Sequence, residues 1–93
     1  MEEKVRKIAL HYGRENQSKI LIEEMAELTK AIIKLDRANT IADYKESFNN
    51  LIEELADVEI MLEQVKFLYG TEDVNSKKEE KVKRQIERMK NNE

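Results

Sequence analysis

Apolar residues recur along this chain at intervals of three and four, the spacing that lines one face of an α-helix. Leu21, Met25, Leu28, Ile32 and Leu35 form one such run. Phe48, Leu51, Leu55, Val58, Leu62, Val65 and Tyr69 form another, and Ile60, Phe67 and Leu68 add apolar surface on its other sides. A helix that is apolar over most of its circumference is a central one, covered by several neighbours. The chain has no proline, and its two glycines, Gly13 and Gly70, lie where an apolar pattern ends, as helix-stopping glycines do. The pattern predicts an all-α, four-helix bundle-like fold in a single domain, residues 1–93, with helices over about 2–12, 16–37, 44–69 and 76–91. Asp43, with Glu46 three residues on, is the expected cap of the third helix, and Ser76 with Glu79 has capping-box spacing for the fourth. Residues 37–43, weakly periodic and rich in turn formers, are the expected loop.

Composition adds a constraint on size. A chain of 93 residues buries a limited core, and four short helices hardly cover a central one. Self-association is therefore expected to complete the core, as a homodimer or homotetramer. There is no cysteine, which excludes disulfides and thiolate metal sites. No apolar run approaches the roughly 18 residues of a membrane span, and the charged start MEEKVRKIAL lacks the apolar stretch of a signal peptide. A cytoplasmic protein is the expectation. Charge is unevenly spread: residues 1–74 carry 10 basic and 16 acidic side chains, net −6, and residues 75–93 carry 7 and 4, net +3. No uniformly basic face exists for nucleic acid. An acidic body with a basic tail suits a protein that holds metal ions and then an anion.

The acidic residues are the informative ones. At about 100° per residue, Glu24 falls about 40° from Leu28 and close to Ala31 and Leu35, inside the apolar sector. Glu27 lies at the edge of that sector, beside Ile20 and Ala31. Glu54 shares a stripe with Leu51, Val58, Met61 and Val65, and Asp57 borders it next to Met61 and Leu68. Glu23, Glu53 and Glu63 point outward and read as ordinary solvated charges. Ionised carboxylates on a packed face must be paired, protonated or bound to metal. Lys30, Lys34 or Lys66 offer pairing, but four converging acids repel one another, and a divalent cation removes that penalty. Residues i and i+3 are neighbours on a helix, so Glu24-x-x-Glu27 and Glu54-x-x-Asp57 each present two carboxylates together. An all-oxygen donor set favours a hard cation, Mg²⁺ or Mn²⁺. A di-iron bundle commonly uses Glu-x-x-His, and the one histidine, His11, lies outside both motifs.

The run Tyr12-Gly-Arg-Glu-Asn-Gln17, then Glu23-Glu-Met-Ala-Glu-Leu28, then Glu53-Glu-Leu-Ala-Asp-Val58 resembles the MazG-like all-α nucleoside triphosphate pyrophosphohydrolases. That superfamily includes dimeric dUTPases, dCTP pyrophosphatases and phosphoribosyl-ATP pyrophosphohydrolase. Its pattern is E-x-x-E followed about one helix and loop later by E-x-x-D, matched here by Glu24, Glu27, Glu54 and Asp57. The tail Lys81-Val-Lys-Arg84-Gln-Ile-Glu-Arg88 resembles the basic segment of small members. The resemblance implies hydrolysis between the α and β phosphates of an NTP or dNTP, with Mg²⁺ held by the four acids. It implies that Glu24 or Glu27 orients or deprotonates the attacking water, and that Lys81, Arg84 and Arg88 hold the phosphates. Tyr44 is the freest aromatic for stacking a base, while Phe48 and Phe67 read as core. Asp57 is followed by Val-Glu-Ile-Met rather than the signature associated with the phosphoribosyl-ATP enzyme, which counts against that activity. The reading from a different class is a noncatalytic helical protein that keeps the fold and works by self-association or by binding another protein.

Overall fold

The computed structural model describes residues 1–92, and among these every regular element is a helix. The elements are α1 (Glu2–Tyr12), α2 (Arg14–Asp36), α3 (Ile41–Tyr69) and α4 (Thr71–Asn91). No helix among the described residues is long and apolar enough to cross a membrane.

Gly13 and Gly70 each end one helix and begin the next. Their backbones sit at φ 87° and 141°, where a Cβ is strained, and their N–H groups donate to the Ala9 and Lys66 carbonyls at 2.8 Å. Because each glycine turns the chain in a single residue, α2 starts two residues earlier than its periodicity suggests. For the same reason α4 starts at Thr71, which leaves Ser76 inside the helix rather than at its cap. The α2–α3 loop is also shorter than expected. Thr40, not Asp43, caps α3, its hydroxyl oxygen accepting the Asp43 N–H at 3.0 Å. A β-branched threonine in extended backbone is a good cap, and Asp43 then falls in the first turn, where its charge suits the helix dipole.

α2 and α3 run antiparallel and make the main seam, with α1 packed across both and α4 touching α3 alone. Ala31, Val58 and Met61 are buried along the seam, and Ala9 seats α1. The seam also holds a polar pair. Gln17 and Gln64, 3% and 2% exposed, are joined by a 2.6 Å bond from the Gln17 amide to the Gln64 carbonyl oxygen. Asn16 donates to the Gln17 oxygen at 2.9 Å, and the Gln64 amide turns to the Met61 sulfur at 3.6 Å. Around this junction Arg6 lies over the Phe67 ring and Arg14 over Tyr69, each 5.1 Å from the centroid.

Each predicted apolar stripe divides in two. Leu21, Leu28 and Leu35 face the seam, while Met25 and Ile32 lie exposed on its flank. On α3, Leu51, Val58 and Val65 face inward, and Phe48, Leu55, Leu62 and Tyr69 do not. Phe48, expected in the core, is 43% exposed, because it lies on the flank of the α2–α3 seam that no other helix among the described residues covers. A compact chain of this mass has an accessible surface of about 5,600 Å² and one of this length a radius of gyration of about 12 Å. The observed values are 7810 Å² and 16.8 Å. The single chain is an open assembly of helices around a thin seam.

The glutamine pair gives a stability test. Gln17→Ala strands the buried Gln64 carbonyl oxygen and should cost about 1–3 kcal/mol, read by chemical denaturation. Gln17→Leu with Gln64→Leu, which removes both polar groups, should recover most of that loss.

Candidate metal centre

The seam places Glu24 opposite the turn of α3 that carries Glu54 and Asp57. One carboxylate oxygen from each of the three lies within 4.8 Å of the others. Glu24 and Glu54 are half-buried, while Asp57 is open to solvent. A shallow cleft of about 160 Å³ beside them is lined by Glu24, Asp57, Ile60 and Met61. Asp57 and Leu55 are two residues apart, about 200° round the helix, so the acids open on the opposite flank from the exposed apolar stripe.

Among the described residues, no basic side chain pairs with this cluster. Lys30 pairs with Glu27 at 3.6 Å and Lys66 with Glu63 at 3.9 Å, each within its own helix. Lys34 lines a separate polar cleft with Glu46, Ser47, Asn49, Asn50 and Glu53. Among the described residues, no ion pair reaches Glu24, Glu54 or Asp57. Glu54 carries the strain of this arrangement. Its Oε2 is buried without a hydrogen-bond partner. Burial pushes its carboxyl above the usual range, and the charges of Asp57, Glu24, Glu27 and Glu53 push it further the same way.

A divalent cation fits this donor set. The three groups are hard oxygens from two helices, and the orphaned Oε2 supplies a buried lone pair with nowhere else to go. Mg²⁺ binds oxygen at about 2.1 Å and so spans trans ligands about 4.2 Å apart. Three oxygens within 4.8 Å need only small side-chain adjustments to meet one ion.

The remaining candidates lie outside the triad. Glu27, at the sector's edge in the sequence, is exposed and paired with Lys30, yet close enough for its charge to act on Glu54. Tyr44 is half-exposed and stacked on Phe48, ring centroids 6.2 Å apart, and stands about 15 Å along α3 from Glu54. Lys81, Arg84 and Arg88 are exposed on α4, which makes no contact with α2. Glu23 and Glu53 are exposed, and His11 is an exposed residue of the last turn of α1. The Gln17–Gln64 bond, on the same seam beyond the acids, is a feature that periodicity alone does not reveal. Its signal is that both glutamines fall on the apolar stripes. Comparison with family models, curated proteins and solved structures gives no match.

The pH dependence follows from the sign of the Glu54 shift. The folded chain holds this proton more tightly than the unfolded one, so ionising Glu54 costs stability. In the absence of metal, that loss sets in as pH rises from the ordinary value near 4.5 and is complete above the raised folded value. Glu54→Gln should therefore melt above the parent at pH 7 in EDTA, with the gap closing at pH 4. A variant that melts lower at pH 7 would contradict the reading of an unneutralised cluster.

Proposed function

We propose that this chain is a Mg²⁺-dependent nucleoside triphosphate pyrophosphohydrolase of the MazG-like all-α kind, hydrolysing an NTP or dNTP to the monophosphate and pyrophosphate. The observation that carries this reading is the buried, partnerless Glu54 Oε2 within an acidic triad that no lysine or arginine neutralises. The paired E-x-x-E and E-x-x-D motifs supply the reaction class by resemblance. Mg²⁺, when bound, supplies Lewis-acid chemistry toward phosphate oxygens, and Mn²⁺ is the nearest substitute.

In this reading Glu24, Glu54 and Asp57 hold the metal. Glu27 stands one turn from Glu24 and outside the triad, and its carboxylate orients the attacking water and takes its proton. Lys81, Arg84 and Arg88 recur at i, i+3 and i+7 and grip the anionic phosphate tail. Tyr44 stacks on the base. The site works in a homodimer or homotetramer, and what supports that is surface. The chain exposes about 2,200 Å² more than a compact monomer of its mass. Contiguous apolar patches of more than a few hundred Å² mark interaction sites. The apolar flank runs through Met25 and Ile32 on α2 and Tyr44, Phe48, Leu55 and Leu62 on α3. The noncatalytic reading draws on the same flank and differs by needing no metal.

A panel of NTPs and dNTPs with Mg²⁺, assayed for pyrophosphate, decides between them. Release should be abolished by EDTA. Glu54→Gln and Asp57→Asn should lower it by at least the roughly 10–100-fold that even outer-shell substitutions at metal sites cost. Glu27→Gln should lose turnover while keeping the rise in Tm that Mg²⁺ or Mn²⁺ produces in the parent. Absence of both release and metal-dependent melting would leave the noncatalytic reading. Self-association is checked separately: Phe48→Glu with Leu55→Glu should convert an oligomer in light scattering to a monomer.

A further inference from the structure

α4 is a helix without a body to lie on. Val74 and Lys78 border a cleft with Glu59, Leu62, Glu63 and Lys66 of α3, and from Asn75 to Asn92 every residue is exposed. Yet this outer part carries an apolar stripe. Val82, Ile86 and Met89 recur at i, i+4 and i+7 and are 61%, 45% and 52% exposed. Amphipathic helices in proteins draw most of their stability from packing their apolar face rather than from propensity. Within this chain that stripe stays uncovered.

Its own chain offers no seat. Met89 stands about 22 Å along the helix from Val74, and α4 touches no helix but α3. A second copy offers one with matching chemistry on two counts. The α2–α3 flank of Met25, Ile32, Phe48 and Leu55 is an unpartnered apolar surface. The body that carries it is acidic, net −6 over residues 1–74, whereas residues 75–93 are net +3. Opposite charge steers the two together, and like charge discourages one arm from docking on another.

We propose that α4 is an exchanged arm: its outer half lies across the α2–α3 apolar flank of a second copy of this chain, and that copy's α4 returns the contact. The inference rests on the self-association proposed above and not on hydrolysis. Reciprocal exchange is what a two-fold interface produces, since the same patch serves both subunits. It also assigns part of the excess surface to one contact. Lys81, Arg84 and Arg88 lie about 100° or more round α4 from the middle of the apolar stripe. Docking by the stripe therefore leaves these cations out of the apolar contact.

The test uses the full chain carrying Val82→Glu, Ile86→Glu and Met89→Glu together, substitutions at exposed positions that leave α1–α3 untouched. Sedimentation velocity should show the dimer dissociation constant raised by about a hundredfold or more, with melting of the α1–α3 body still cooperative. An unchanged dissociation constant overturns the arm and leaves self-association through the α2–α3 flank standing. A monomeric parent overturns both. A second measurement covers misfolding of the triple variant. A benzophenone side chain placed at position 86 of the otherwise natural chain, mixed with tagged parent, should on irradiation form adducts with α2 or α3 of the tagged chain. Adducts confined to its own chain overturn the exchange.

Discussion

The antiparallel seam between α2 and α3 is the contact on which every other feature depends. It is thin, with Ala31, Val58 and Met61 as its buried apolar residues, and a glutamine pair serves as its polar lock. The facing of the two helices brings Glu24 to Glu54 and Asp57. The same seam carries α1, through Ala9 and the contacts around Phe67, and launches α4 from Gly70.

Placing carboxylates on that seam sets stability against binding. Hydrophobic residues in their place would stabilise the pair, whereas Glu54 with an unpartnered oxygen among like charges destabilises it. A divalent cation, bound there as proposed above, would relieve burial and repulsion together. The seam also divides the molecule into two flanks. The acids open on one, while the apolar stripes of α2 and α3 lie exposed on the other, so association through the apolar flank leaves the acidic cleft accessible.

Helix number, the helix breaks at Gly13 and Gly70, and the central role of α3 were legible in the sequence, because periodicity and glycine act locally. So was the direction of most acids: Glu24 and Glu54 on the inward stripe, Glu23 and Glu53 on the outward one. The starts of α3 and α4 were less legible, since several residues near each start can cap a helix. Thr40 won over Asp43 through its hydroxyl bond, and Gly70 made any cap at Ser76 unnecessary.

What periodicity cannot carry is which half of a broad stripe finds a partner. Phe48 and Val58 look alike along α3, yet one is half-exposed and the other buried, because burial belongs to the neighbour and not to the residue. The same reason separates Glu27 from the other three acids. All four sit at equivalent spacing, but the facing of α2 and α3 gathers Glu24, Glu54 and Asp57 and leaves Glu27 on the flank with Lys30. The sequence by itself determined the helices, their inward and outward faces and the pairing of acidic motifs. Only the tertiary structure decided which three carboxylates meet, that no basic side chain meets them, and that one face of the hairpin and the outer half of α4 remain uncovered. Those outcomes depend on distances between segments far apart in the chain, which local spacing does not encode.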